Sequence, residues 1–110
     1  MSKETTATIR SLNDKLRVDR IGGTLVVTSG IAALGPAFFT MLMDAIRRAD
    51  DFDDDNDPYG EHDFGVVTVL DQKVFWKIDY YDLDMRQGAE FPEDPALCVR
   101  VMTVMTEREY

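Results

Sequence analysis

Glu61, His62 and Asp63 are the adjacent side chains in this 110-residue sequence best suited to move a proton, and His62 is its only histidine. An imidazole titrates near neutral pH, so a carboxylate neighbour makes it a candidate general acid or base. Just upstream stand Asp50, Asp51, Asp53, Asp54, Asp55 and Asp57, six carboxylates in eight residues. Such crowding suits a cation, a positively charged partner, or a well-solvated turn.

The metal patterns are testable by spacing. An EF-hand loop needs acids at positions 1, 3 and 5, glycine at 6 and glutamate at 12. Counted from Asp53, Pro58 stands where glycine belongs and Phe64 where glutamate belongs. Counted from Asp55, Gly60 fits but Val66 ends the loop. An irregular calcium or magnesium site from Asp53, Asp55 and Asp57 is the remaining form of that idea. A zinc-type site would have to draw mostly on carboxylates, because Cys98 is the single thiol beside the single imidazole. Glu61, His62 and Asp63 cannot all face one ion from a regular strand. A small metal-assisted hydrolase would therefore recruit Asp79 or Asp82 as well. No glycine pattern here cradles a phosphate, so neither a nucleotide nor any other cofactor is expected.

The elements that must position these residues follow from periodicity. Ile9, Leu12 and Leu16 form one helical stripe, with Arg10, Lys15 and Arg17 expected off it. "TLVVTSG" reads as a short strand. "GPAFFTMLMDAIRRAD" reads as a second helix, with Pro36 at its start and Phe38, Phe39, Leu42, Ala45 and Ile46 on a broad apolar face. "FGVVTVL" and "VFWKIDYYD" read as a hairpin closed by "DQK", with Val74, Trp76, Ile78 and Tyr80 sharing one face. If Leu70 pairs with Val74, His62 lies opposite Asp82. Asn56, Asp57, Pro58 and Gly60 are turn formers between helix and hairpin. "DLDMRQGAEFPEDP" is a loop. Leu97, Val101, Val104 and Met105 predict a last helix from about residue 93 onward, with Cys98 a buried, inert thiol beside them. The sum is one α+β domain over residues 1–110. Its order is α-β-α-β-β-α, around a small, mainly antiparallel three-stranded sheet.

Composition narrows the partners. Residues 1–49 carry seven basic and four acidic side chains, whereas residues 50–110 carry five basic and seventeen acidic ones. The total of −9 is thus concentrated in the second half. Phosphate backbones repel such a surface, so direct nucleic-acid binding is disfavoured and a cationic protein surface is favoured. The chain contains neither a long apolar span nor an apolar signal core, which predicts a cytoplasmic protein that does not enter membranes.

"NDPYGEHDFG" and "FWKIDYYD", with the opening "IRSLND" and the closing "EREY", resemble a small bacterial family known only as domain of unknown function three-seven-six-eight. The matching positions are Asn56, Asp57, Pro58, Gly60, Glu61, His62, Asp63, Phe64 and Gly65, then Trp76 to Asp82. The resemblance covers almost the whole chain. It implies an alphaproteobacterial setting, on chromosomes and plasmids, and brings no established activity with it.

The leading expectation is a non-enzymatic acidic binding protein. Asp50, Asp51, Asp53, Asp54, Asp55, Asp57, Glu61, Asp63, Asp79, Asp82 and Asp84 would meet a basic protein surface. One concrete form is an anti-CRISPR or anti-restriction inhibitor occupying a groove meant for nucleic acid. Asn56, Pro58, Gly60, His62, Gly65, Trp76, Tyr80 and Tyr81 are expected to be structural, His62 by pinning the loop. The rivals are the hydrolase above and an oligomer-forming domain with Trp76, Tyr80 and Tyr81 at a sheet-face interface.

Overall fold

The computed structural model describes residues 2–110. Helix α1 spans Lys3–Asp19, β1 Thr24–Val27, a short α2 Ser29–Ala32 and α3 Pro36–Arg48. Strands β2 Phe64–Val69, β3 Gln72–Tyr81 and β4 Val99–Thr106 follow, and a 3-10 turn Glu107–Glu109 closes the chain.

Helix α1 starts on Ser2, whose hydroxyl accepts from the Thr5 N–H, and ends on Arg20 in the left-handed region at φ 56°. Its buried face is Ile9, Asn13, Leu16 and Arg17. Arg17 is therefore inside the stripe, contrary to the sequence expectation, and Leu12 is only half-buried. Helix α3 starts at Pro36 and buries Phe38, Leu42, Met43 and Ile46.

The sheet corrects the expected architecture. It has four strands in the order β1-β4-β3-β2, and β1 runs parallel to β4 while the other two pairings are antiparallel. The three-stranded, mainly antiparallel sheet is thus wrong, although helices on one sheet keep the fold α+β. The missing strand is β4, where a helix was predicted. Leu97, Val101, Val104 and Met105 do fit a helical stripe. Yet five of the eight residues of Val99–Thr106 are β-branched, and Val101, Met102, Val104 and Met105 are all buried. A strand in the middle of a sheet, covered on both faces, shows an unbroken apolar run rather than alternation.

The hairpin register also differs. Val69 pairs with Gln72 and Phe64 with Lys77, so Leu70 and Asp71 alone form the turn. Both have positive φ, 48° and 65°, as a two-residue type I′ turn requires. Gly65, Val67 and Val69 consequently share the inner face with Val74 and Trp76. The core lies between that face and the helices. Leu16, Ile31, Phe38, Leu42 and Ile46 pack there against Val74, Trp76, Ile78, Met102 and Val104. On the other face, Tyr110 stacks on Phe75 at 4.6 Å and lies 5.6 Å from Phe64.

Among the described residues, no helix is long and apolar enough to cross a membrane.

Candidate functional site

The acidic stretch leaves the C-terminus of α3, where the last carbonyls of a helix lack intrahelical partners. Arg17 supplies one. Its Nη1 donates to Ile46 O and Ala49 O at 2.9 Å and to Arg47 O at 3.2 Å. From there the loop organises itself. Asp53 Oδ1 accepts the N–H groups of Asp55 and Asn56, and Asn56 Oδ1 accepts that of Asp53. Asn56 Nδ2 donates to Asp51 O, and Asp57 N to Asp53 O. Short polar side chains that bond nearby backbone in this way stabilise turns locally.

Asp57 is the keystone of the second half. It is only 6% exposed, and its Oδ1 accepts from both Glu61 N and His62 N at 3.1 Å. Those bonds hold His62 at φ 54°. The His62 ring then stacks on Phe52, with centroids 3.8 Å apart. Its Nδ1 lies 2.9 Å from Asp14 Oδ1, and its Nε2 lies 3.7 Å from Asp57 Oδ2. Asp14 also accepts from Arg17 Nη2 at 3.1 Å. The Arg17 guanidinium sits over Phe52 and Trp76, at 5.2 and 5.7 Å from the ring centroids. The expected pairing of His62 with Asp82 does not occur, because the register differs and His62 lies outside β2.

A second set of polar groups runs beside the first. Arg100 Nε donates to Asn13 Oδ1 at 2.6 Å. A guanidinium can only donate, so this bond fixes the Asn13 amide with its Nδ2 turned toward Glu61 O and Tyr80 OH. Tyr80 OH, already accepting from Asn13, donates to Glu61 Oε1 at 2.7 Å. Burial first, and the bond to Glu61 second, push the Tyr80 hydroxyl pKa up. Arg100 Nη2 also holds Pro92 O at 2.6 Å, tying the segment before β4 into the same network.

Glu61, His62 and Asp63 thus face three different surroundings. Glu61 turns to Tyr80 and His62 to Asp14, while burial pushes Asp63 up to about 6, with Glu61, Asp57 and Asp79 adding repulsion. Among the described residues, no group of three or more His, Cys, Asp or Glu side chains is placed to hold a metal ion. A groove of about 480 Å³ is lined by Arg20, Leu25, Phe39, Thr40, Met43, Asp44 and Arg47, none of which belongs to the motif.

The remaining expected site residues divide clearly. Asp50, Asp51, Asp53, Asp54, Asp55 and Asp84 are exposed; Asp79 and Asp82 are half-buried. Asp79 pairs with Lys77 at 3.3 Å, and Asp82 Oδ1 accepts from Arg86 N. Pro58 is exposed and Gly60 adopts φ 70° in the turn. A side chain at Gly65 would put its Cβ 2.5 Å from the Trp76 ring, so the glycine lets β2 close over the buried indole. Trp76 is fully buried and Tyr80 points into the polar network, which removes both from any exposed sheet-face interface. Tyr81 is half-buried opposite Gly88. Cys98 is buried, as expected, but precedes a strand, and burial raises its thiol pKa.

Sequence reasoning missed Asn13, Asp14, Arg17, Phe52 and Arg100. Asn13 and Arg17 carried a signal. They lie four and eight residues after Ile9, polar side chains on the apolar stripe of a helix.

A family model described as a protein of unknown function, DUF3768, matches residues 27–109. The chain belongs to this family. The matched stretch takes in α2 to β4 with the acidic loop, and it leaves α1, with its "IRSLND" segment, and all of β1 but Val27 outside. Within this DUF3768 protein, then, the partners of His62 and Glu61 on α1 come from beyond the matched stretch. No curated protein and no solved structure matches the chain.

Proposed function

We propose that this DUF3768 protein is a non-enzymatic acidic binding protein that docks on a basic protein surface in the cytoplasm. One observation supports the reading most. Asp50, Asp51, Asp54 and Asp55 stand exposed on a loop whose backbone is tied down by Asp53, Asn56 and Asp57. Among the described residues, none of those four carboxylates has an ion-pair partner. They repel one another and sit next to the negative end of α3, so a cationic surface relieves both. A fixed loop also meets its partner with little further loss of conformational freedom.

The alphaproteobacterial, partly plasmid-borne setting that the resemblance implies would favour one concrete form. The protein would be an anti-CRISPR or anti-restriction inhibitor, whose carboxylate array takes the place of phosphates in a nucleic-acid groove. At −9 the chain is repelled by phosphate backbones, which supports a protein rather than a nucleic acid as the partner in this reading.

The experiment compares the native chain with a variant carrying Asn at 50, 51, 54 and 55. Both are immobilised and exposed to host lysate across a salt series. The reading expects a basic protein retained by the native chain, released by rising salt, lost in the variant and displaced by duplex DNA or RNA. Retention that ignores salt, or that survives the four substitutions, removes it.

A further inference from the structure

The segment between β3 and β4 is long, irregular and unexpectedly apolar at its surface. Residues 82–98 contain neither helix nor strand, and ordered connections of this length in a compact fold are uncommon and often functional. Leu83, Met85, Phe91 and Leu97 are 60%, 50%, 46% and 44% exposed. Single exposed apolar residues are ordinary, but three that line one groove make a patch. Leu83, Phe91 and Leu97 line a shallow groove of about 330 Å³ together with Gln87 and Gly88, and the charged groups at its rim are Asp82 and Glu90.

This groove is built rather than loose. Asp82 N donates to Gln87 O at 2.9 Å, Arg86 N to Asp82 Oδ1 at 3.0 Å, and Ala89 N to Tyr80 O at 3.0 Å. Asp94 Oδ1 accepts from Ala96 N, Leu97 N donates to Asp94 O, and Arg100 holds Pro92 O. The apolar side chains are therefore presented by a fixed backbone that could have turned them elsewhere. The connection carries Asp82, Asp84, Glu90, Glu93 and Asp94 against Arg86 alone.

We infer that this groove is a second docking surface, and that its occupant is a short segment of another protein with a bulky apolar anchor flanked by lysine or arginine. The apolar floor takes the anchor; the one-signed rim selects the cations and rejects acidic or neutral flanks. A second copy of this chain fits the rim less well, since the two copies would approach with like net charge. The inference goes beyond the reading of the Asp50 to Asp55 loop and uses none of its residues, so either can fail alone.

A randomised peptide library displayed on phage is the probe, selected on the full chain and counter-selected on a Leu83→Ser/Phe91→Ser variant. Both positions are exposed, and circular dichroism establishes that the variant is folded. The expected winners carry a leucine, methionine or aromatic residue between basic flanks. They bind the double variant about tenfold more weakly, as loss of anchor contacts does. Glu90→Gln weakens them chiefly at low salt, and the four-asparagine loop variant binds them as the native chain does. Winners without basic flanks, winners indifferent to both Leu83→Ser and Phe91→Ser, or an absence of winners overturn the inference. So does a dimer of the native chain that Leu83→Ser dissolves, which would assign the groove to a second copy.

Discussion

His62 reaches across 48 residues of chain to place its Nδ1 2.9 Å from Asp14 Oδ1. The contact joins the end of the acidic loop to the middle of α1. It is half-buried, and its carboxylate is shared with Arg17. Removing either partner leaves the other short of a bond in a poorly solvated place, at a cost of about 1–2 kcal/mol. His62→Ala, Asp14→Ala and the double variant therefore form an informative cycle. The expected coupling is on the order of 1 kcal/mol by urea unfolding, with faster amide exchange over the loop in each single variant. Additive effects of the two changes would mean that the residues act separately.

Asp57 sets a harder requirement. Its Oδ1 satisfies two backbone N–H groups from a nearly buried position. Asp57→Ala orphans both and should cost about 2–3 kcal/mol. Asp57→Asn keeps the accepting oxygen and should cost less than half of that. Equal losses for alanine and asparagine would show that the negative charge, rather than the accepted bonds, holds the turn.

Asp63 gives the protein a pH signature of the opposite sign to most carboxylates. Burial, then Glu61, Asp57 and Asp79, raises it from 3.8 to about 6. The native state thus holds this proton more tightly than the unfolded chain does. Its contribution is most favourable below about pH 4 and is lost as pH rises through about 6. Asp63→Asn removes the penalty. The variant should exceed the native chain by on the order of 1 kcal/mol near neutral pH, after allowance for solvent screening, and by almost nothing near pH 4. A stability difference that stays flat between those pH values would rule out this carboxyl as the source.

Much of this arrangement is legible in the sequence. The 3.6-residue stripe of α1 and α3, the brief β-branched run of β1 and the alternation of Val74, Trp76, Ile78 and Tyr80 each match one periodicity only. Strand β4 does not. Buried on both faces, it loses the alternation that marks a strand, and its apolar spacing imitates a helix. The polar cluster was hidden for a related reason. Asn13 and Arg17 belong to the inner stripe because their hydrogen-bonding groups find Tyr80, Glu61 and the end of α3, elements distant in sequence. Local pattern cannot display such partners. That the acidic loop turns on itself was legible in Asn56, Asp57, Pro58 and Gly60. The specific acceptors were not.

Leu70 and Asp71 show where register escaped the sequence, and they offer the last test. A type I′ turn needs positive φ at both of its central residues, a conformation suited to Asn-Gly rather than to leucine. Here Leu70 takes φ 48° with its side chain 69% exposed, so the turn is strained and has no packing to compensate. The paired change Leu70→Asn and Asp71→Gly fits the same backbone. It should raise stability by about 1 kcal/mol, moving the urea midpoint without altering its slope. Backbone amide shifts of β2 and β3 should stay in place. A lower midpoint, or shifts that migrate along the hairpin, would mean that Leu70 sets the register through contacts outside the turn.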